Sequence, residues 1–135
     1  MTHKHPLTSI VIPTYEMKGQ GVIFLRRCLD SINKQNINNT DAIEILISDQ
    51  SSDRAIEEFC KAQNIKFSLR YHRTLTGRGI AAHNLNIGIQ QALGKYIKIL
   101  FQDDLLVEDE YLNTLHACLA ENGPQAILTC ATHTK

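Results

Sequence analysis

Two adjacent aspartates, Asp103 and Asp104, end an apolar segment of this 135-residue chain and give its clearest chemical signal. Like charges side by side repel each other, so the pair is either exposed to water or shared by a cation. Carboxylate oxygens are hard ligands of the kind that Mg²⁺ and Mn²⁺ prefer, which predicts a divalent-metal site. The alternative is that one of the two aspartates caps the short turn before the next helix.

A second polar cluster, residues 49–53 (DQSSD), directly follows another apolar segment. The Asp49 carboxylate could accept hydrogen bonds from the N–H or hydroxyl groups of a ligand. Asp49, Ser51, Ser52 and Asp53 could equally be N-caps of the following helix, because side-chain oxygens there satisfy free backbone N–H groups. Both interpretations stay open on the sequence alone.

Two arginines, Arg73 and Arg78, flank a glycine-bearing loop. Their guanidinium groups could neutralise a diphosphate, although an arginine in a loop can also be simply solvated. The loop lacks the Lys-Ser/Thr ending of a Walker loop and the third glycine of a dinucleotide fingerprint. His83 comes shortly after it, without a second histidine or cysteine at ligand spacing, and is therefore not interpreted as a metal ligand.

The hydrophobic pattern predicts strands and helices that alternate along the chain. The predicted strands cover residues 9–12, 42–47, 67–71, 96–101 and 126–131. The predicted helices begin near Val22 and after Ser52 and span residues 80–93 and 108–121, with Pro13 ending the first strand and Gly94 capping the third helix. This order implies a mostly parallel sheet with helices on both faces, and ligands of such sheets bind beyond the carboxyl ends of the strands.

The overall composition is that of an ordinary globular domain. Fourteen basic residues balance fourteen acidic ones, so we expect no nucleic-acid partner, and residues 1–135 are interpreted as one domain. The sequence contains no apolar run long enough to cross a bilayer and no signal segment, which favours a cytoplasmic location. The four cysteines stand singly in apolar segments, as reduced buried thiols do: Cys28, Cys60, Cys118 and Cys130.

Four short segments occur in an order and at separations that are typical of one enzyme family. Residues 11–16 (VIPTYE) match V-I-P-T-Y-N except at the last position, and residues 47–53 (ISDQSSD) are similar to V-D-D-G-S-S-D. Residues 79–86 (GIAAHNLN) resemble G-x-x-x-A-R-N-x-G, with His83 in place of the arginine. Residues 100–104 (LFQDD) resemble L-D-x-D-D, with Phe101 in place of the first acid. Together they resemble the N-terminal half of a family 2 glycosyltransferase.

This resemblance implies an α/β, Rossmann-like GT-A fold of the nucleotide-diphospho-sugar transferases, here apparently truncated. It implies an enzyme that transfers a sugar, with inversion, from a nucleotide-diphosphate-sugar donor to an unknown glycan, lipid or protein acceptor. A UDP-sugar is the expected donor, and Mn²⁺ or Mg²⁺ the expected cofactor. A cation on the diphosphate would stabilise the negative charge that grows on the leaving group.

The resemblance also implies roles for particular residues. The donor-binding residues would be Pro13, Thr14, Tyr15, Glu16 and Asp49 around the base and ribose, Arg78 near the ribose or phosphates, Asn84, and Asp103. The metal would be held by Asp103 and Asp104. The catalytic residue is not identified, because the later acids Asp109, Glu110 and Glu121 fall in a predicted helix with nothing to mark one of them as a base.

Two other functions remain open on the sequence. The chain could be a binding module that takes up a nucleotide or nucleotide-sugar without transferring it, with the acceptor-binding part of the domain absent. A nucleotidyltransferase is disfavoured, because the segment after the first strand lacks a strongly basic, glycine-rich loop. An uncovered last strand would also invite pairing with a second copy, so a homo-oligomer is a further expectation.

Overall fold

The computed structural model describes residues 5–123, in which four strands alternate with four α-helices. The strands are β1 (Thr8–Thr14), β2 (Ile43–Asp49), β3 (Ser68–Arg73) and β4 (Tyr96–Ile99). The helices are α1 (Gly21–Asn33), α2 (Ala55–Lys61), α3 (Ala81–Gln91) and α4 (Tyr111–Asn122). Within this part of the chain, no helix combines the length and apolar character needed to span a membrane. The fifth strand predicted over residues 126–131 lies outside the described residues.

All four strands are parallel and lie in the order β3-β2-β1-β4, which confirms the predicted type of sheet. The register aligns Thr14 of β1 with Asp49 of β2, and Asp49 with Arg73 of β3. The carboxyl ends of these three strands are therefore level. The loops that follow them begin at the same edge of the sheet, which is where ligands of parallel sheets bind.

The hydrophobic core lies between one face of the sheet and three helices. Isoleucines of β1 and β2 meet buried side chains of α1, α2 and α4, namely Leu25, Leu29, Ile32, Ile56, Phe59 and Leu112. The opposite face is covered by α3, whose Gly88 lies against Val11 and Ser48. Helices therefore cover both faces, as predicted. Cys28 and Cys60 are buried free thiols, and burial raises the pKa of each to about 12.

β1 continues beyond Pro13, so the prediction that Pro13 ends the first strand is wrong. Proline lacks the N–H that a strand inside a sheet normally donates. Successive residues of β1 bond alternately to its two neighbours, because Leu100 N–H donates to Val11 O and Gln50 N–H donates to Thr14 O. By this alternation Pro13 faces β4 at a level where β4 has already ended, so the sheet does not require its N–H.

The end of α3 also differs from the prediction. Ala92 is the C-cap, so Gly94 does not cap this helix. Glycine is needed there for a different reason, because a Cβ on Gly94 would lie 2.5 Å from the backbone nitrogen of Ser9. Gly94 N–H donates to Ser9 Oγ at 2.7 Å. The turn before β4 is therefore packed tightly against the start of β1.

Two other boundaries are shorter than predicted. β4 ends at Ile99 rather than at residue 101, and α4 begins at Tyr111 rather than near residue 108. The ten or so residues between them are irregular and carry both Asp103 and Asp104. The aspartates thus lie on a loop beyond the sheet edge, well before the last helix begins.

The Glu44 carboxylate is buried near the start of β2 and joins several segments. It accepts hydrogen bonds from Arg70 Nε (2.9 Å), Ser9 Oγ (2.5 Å) and Leu93 N (2.7 Å). Burial opposes ionisation of this carboxyl, but the hydrogen bonds outweigh burial and hold its pKa below the ordinary value of 4.5. Arg70 also donates to Gln91 O at the end of α3 (2.6 Å), so one ion pair links β1, β2, β3 and α3.

Replacing Glu44 with glutamine is expected to lower the free energy of unfolding by about 2 kcal/mol at neutral pH, because Arg70 loses its charged partner. A depressed folded-state pKa stabilises the protein above the unfolded-state value of 4.5, and that contribution is lost as the pH falls through the folded-state pKa. Urea denaturation of the wild type and Glu44→Gln at several pH values measures this. The difference between them should shrink as the pH drops below 4.5.

The control is Glu58→Gln, which changes an exposed glutamate on α2. Its effect should stay within about 0.5 kcal/mol, as for most surface substitutions. A penalty for Glu44→Gln that persists undiminished in acid would contradict the assignment of that penalty to the ionised carboxylate.

Candidate functional site

A cavity of about 520 Å³ opens at the carboxyl ends of the strands. This size falls within the range of small-molecule binding sites. Its walls come from the end of β1 and the loop after it, from Gln50 after β2, from the loop and first turns of α3, and from residues 101–103 after β4. The strand ends therefore meet around one space, as the order of elements predicts.

Seven of the eight residues predicted to bind a donor line this cavity: Pro13, Thr14, Tyr15, Glu16, Arg78, Asn84 and Asp103. Asp49 and Asp104 are absent from the lining. The part that each residue takes in binding stays a prediction. The structure nevertheless separates side chains that face the cavity from those that support its walls.

The Asp49 carboxylate is fully buried behind the cavity wall. Oδ1 accepts hydrogen bonds from Thr14 Oγ1 (3.0 Å), Ser51 N (3.1 Å) and Ser51 Oγ (2.6 Å), and Oδ2 accepts one from Tyr71 OH (2.6 Å). Burial and this last bond raise the pKa of Tyr71 above its ordinary value. Four hydrogen bonds hold the carboxylate, so in this geometry Asp49 fixes the strand ends, and it is absent from the cavity lining.

The capping interpretations of residues 51–53 divide between the three side chains. The N-cap position of α2 is Arg54, so neither serine is the N-cap; the hydroxyl of Ser51 donates to Asp49 and that of Ser52 donates to Glu16. Asp53 Oδ1 accepts the N–H of Ala55, the first residue of α2, at 3.1 Å. Only Asp53 therefore supports the start of the helix.

Asn84 lines the cavity, but the residue is only 3% exposed and its side chain is already hydrogen-bonded. Nδ2 donates to Thr14 O at 3.2 Å, and Oδ1 accepts the hydroxyl of Ser48 at 2.8 Å. The Ser48 hydroxyl also lies 3.1 Å from Thr74 Oγ1. Asn84 thus holds the first turn of α3 against the ends of β1 and β2.

Glu16 connects three of the loops at the mouth of the cavity. Its Oε1 accepts the Ser52 hydroxyl at 2.6 Å, and its Oε2 accepts the Ser52 N–H at 3.2 Å. Arg78 NH2 lies 3.6 Å from Oε1. The hydrogen bond from the Ser52 hydroxyl, more than the Arg78 charge, lowers the pKa of Glu16 from its ordinary value. Arg78 remains more than half exposed, so its guanidinium is accessible from the cavity.

Arg73, the last residue of β3, supports the loop after β2. Its guanidinium donates to Ser51 O and Asp53 O, each at 3.0 Å. Nε2 of His83, in the first turn of α3, lies 2.8 Å from Oγ1 of Thr76 in the loop before that helix. Neither Arg73 nor His83 lines the cavity, so Arg78 is the cation that faces it among the described residues.

Two aromatic rings are exposed in the cavity wall. Tyr15 is 54% exposed and Phe101 is 47% exposed, which is unusual for side chains of this size. Exposed aromatic faces are suited to stacking against a planar ring such as a nucleobase. Phe101 stands where the resemblance predicts an acid, so this part of the wall is apolar.

Asp103 faces the cavity and makes no hydrogen bond or ion pair with the described residues. Asp104 forms a turn in which its Oδ2 lies 3.4 Å from Phe101 N, a long hydrogen bond that agrees with the capping alternative for this residue. No group of three or more His, Cys, Asp or Glu side chains within residues 5–123 is arranged to hold a metal. Mg²⁺ and Mn²⁺ need only one or two carboxylates when phosphates and water complete the shell, so the exposed Asp103 fits such an ion.

Two buried glutamines, Gln50 and Gln102, also line the cavity and were not among the predicted residues. Gln50 Nε2 donates to Gly77 O at 2.8 Å, which ties the end of β2 to the loop before α3. Gln102 makes corresponding bonds to the loop after β1. The available signal was the position of each glutamine just after an apolar strand, where a neutral amide can bond to loop backbone.

Comparison with known proteins finds a matching family model and several relatives. The model described as "Glycosyl transferase family 2" matches residues 9–134. GlyA, a glycosyltransferase of Streptococcus pneumoniae, is 32% identical over 117 residues, which cover 84% of this chain and 15% of GlyA. The chain therefore spans a small fraction of this relative's length.

Solved structures agree with the fold. The structure of S. aureus TarS residues 1–349 in complex with UDP superposes with a TM-score of 0.70 at 25% identity, covering 84% of this chain and 32% of that one. The mannosyltransferase PcManGT from Pyrobaculum calidifontis, in complex with GDP-Man and Mn²⁺, gives a TM-score of 0.70 at 23% identity, covering 89% and 34%. At 23% identity, the likeness to PcManGT shows the fold alone. Both structures support the predicted GT-A fold.

Replacing Asp49 with asparagine is expected to lower the free energy of unfolding by about 3 kcal/mol, because the charge that four hydrogen bonds stabilise is lost and an NH₂ group replaces one of the two buried acceptor oxygens. Thermal and urea denaturation measure the loss. Asp53→Asn is the matched control, since an asparagine oxygen can still accept the Ala55 N–H, and its effect should stay within about 0.5 kcal/mol. Equal stability of Asp49→Asn and wild type would contradict the structural role of this carboxylate.

Proposed function

This chain belongs to glycosyl transferase family 2, and on that premise we propose that it forms the donor-binding part of an enzyme that uses a nucleotide-diphosphate-sugar. The observation that carries the proposal is the meeting in one cavity of an exposed aromatic ring, a cation and a carboxylate that has no partner among residues 5–123: Tyr15, Arg78 and Asp103. A nucleobase, a diphosphate and a divalent cation on that diphosphate require these three kinds of group.

The base and ribose are assigned to the wall at the end of β1. Pro13 and Thr14 end the buried strand, and Tyr15 presents an exposed ring beside them. The likeness to TarS, whose structure contains UDP, supports a uridine nucleotide as the first ligand to test. Glu16 and Asn84 support this wall through Ser52 and Thr14, and Asp49 supports it from behind.

The diphosphate is assigned to the side of the cavity that contains Arg78 and Asp103. Arg78 can donate several hydrogen bonds to phosphate oxygens. Asp103, with its neighbour Asp104, would hold Mn²⁺ or Mg²⁺ when the metal is carried by the diphosphate. When bound, such an ion supplies positive charge to the departing nucleoside diphosphate.

The reaction assigned to the complete enzyme is a substitution at the anomeric carbon of the sugar. The bond from that carbon to the diphosphate oxygen breaks, a bond to the acceptor oxygen forms, and the acceptor hydroxyl gives its proton to a base. Attack from the side opposite the leaving group gives the inversion that the resemblance implies. We nominate no base among residues 5–123, because the two carboxylates in the lining of the cavity have other tasks: Glu16 is held by Ser52 and Arg78, and Asp103 is assigned to the metal.

A binding module that holds the nucleotide without transfer is the second candidate. It is favoured by Phe101, which places an apolar ring where the family motif has an acid. Release of UDP from UDP-sugars distinguishes the two candidates, since a transferase part hydrolyses or transfers the sugar slowly and a binding module leaves it intact.

Calorimetric titration of the protein with UDP is expected to show binding that is strengthened by Mn²⁺. Asp103→Asn should weaken binding in the presence of Mn²⁺ by about tenfold, because a charged ligand of the ion is lost. Without Mn²⁺, the variant and the wild type should bind alike. Asp30→Asn is the control, since it changes an exposed aspartate of α1 outside the cavity. Absence of UDP and GDP binding by the wild type would overturn the proposal.

Arg78→Gln is expected to weaken binding of UDP by about tenfold while changing that of uridine by less than about twofold, because only UDP carries the diphosphate. Titration of both ligands into both proteins measures the contrast. Arg27→Gln, which changes an exposed arginine of α1, should alter neither. An equal loss for uridine and UDP would place Arg78 at the nucleoside instead of at the diphosphate.

A further inference from the structure

The side-chain amide of Gln102 ties the end of β4 to the loop after β1. Gln102 is 4% exposed and forms part of the cavity wall. Its Oε1 accepts the Tyr15 N–H at 3.1 Å, and its Nε2 donates to Tyr15 O at 3.1 Å and to Gly21 O at 2.8 Å. One amide therefore satisfies both backbone groups of Tyr15 and closes the loop of residues 15–21.

The backbone of this loop needs such a support. Met17 and Lys18 have φ values of 48° and 52°, a region that residues other than glycine seldom adopt. A Cβ on Gly21 would lie 2.5 Å from Tyr15 O and 3.0 Å from Gln102 Nε2, so the chain returns close to its own start. Strained backbone of this kind persists only where surrounding groups hold it in place.

Gln102 also connects two residues with different tasks in the donor site. Tyr15 is assigned to the base, and Asp103, the next residue after Gln102, is assigned to the diphosphate and its metal. The side-chain amide of Gln102 is hydrogen-bonded to Tyr15, and the backbone of Gln102 is covalently joined to Asp103. Resting on the proposed function, we propose that Gln102 is a positioning residue that sets the separation between the base end and the diphosphate end of the donor site.

The chemistry of the side chain suits this task. An amide donates two hydrogen bonds and accepts at least one, which matches the two carbonyls and one N–H that it meets. A carboxylate could accept from Tyr15 N–H but would face the two carbonyl oxygens without a proton to donate. An apolar side chain would leave all three backbone groups without this partner.

Gln102→Met tests the proposal, because methionine has nearly the same length and makes none of these hydrogen bonds. We expect the Kd for UDP with Mn²⁺ to rise by about tenfold in calorimetry, at a temperature where circular dichroism shows every variant folded. Hydrogen–deuterium exchange of the peptide containing residues 15–21, measured without ligand, should become faster.

Gln35→Met is the matched control. Gln35 is fully buried, its Nε2 donates to Glu108 O at 2.7 Å, and its Oε1 accepts Leu112 N–H at 3.0 Å, but it lies outside the cavity lining. The two variants should lose thermal stability to a comparable extent. Gln35→Met should leave the Kd for UDP within about twofold of wild type and the exchange of residues 15–21 unchanged, since it removes bonds only to Leu112 of α4 and to Glu108 just before that helix.

Each outcome decides a specific point. A wild type that binds no UDP overturns the proposed function and this inference with it. A wild type that binds UDP, with an unchanged Kd in Gln102→Met, overturns this inference alone. A raised Kd with unchanged exchange of residues 15–21 also overturns it, because Gln102 would then act by contacting the ligand and not by holding the loop.

Discussion

The hydrogen bonds to one buried carboxylate, that of Asp49, hold together the strand ends around which the cavity forms. Asp49 is the last residue of β2 and is in register with Thr14 of β1. It accepts hydrogen bonds from Thr14 of β1, from Tyr71 of β3 and from Ser51 in the loop after β2. A buried charge without these donors would cost several kcal/mol. The strand ends are therefore held level, and the loops that leave them must enclose the same space.

Three neutral side-chain amides join the segments that form the walls of the cavity. Asn84 bonds α3 to β1, Gln50 bonds β2 to the loop before α3, and Gln102 bonds β4 to the loop after β1. Gln50 and Gln102 satisfy backbone groups of loops that have no ladder of their own, and Asn84 bonds to the last carbonyl of β1. Of the three charged residues that line the cavity, Glu16 is held by Ser52, whereas Arg78 and Asp103 are exposed.

The sequence predicts what depends on local pattern and misses what depends on distant contacts. Alternation of apolar segments was enough for the parallel sheet and its order of elements, and four motifs were enough for the family. Pro13 is tolerated inside β1 because β4 has already ended at that level of the sheet. A glycine is needed at position 94 because the backbone of Ser9 lies too close for a side chain. Gln102 was not predicted because its partners at Tyr15 are 87 residues away in the chain.

At the mouth of the cavity, the negative charge of Glu16 offsets the positive charge of Arg78. Arg78 already has a carboxylate 3.6 Å from its guanidinium, and that carboxylate is anchored by Ser52. An incoming phosphate therefore either displaces Glu16 from Arg78 or shares Arg78 with it. This pairing of opposite charges keeps the long-range field at the mouth weak, so capture of an anion relies on short-range fit more than on attraction from a distance.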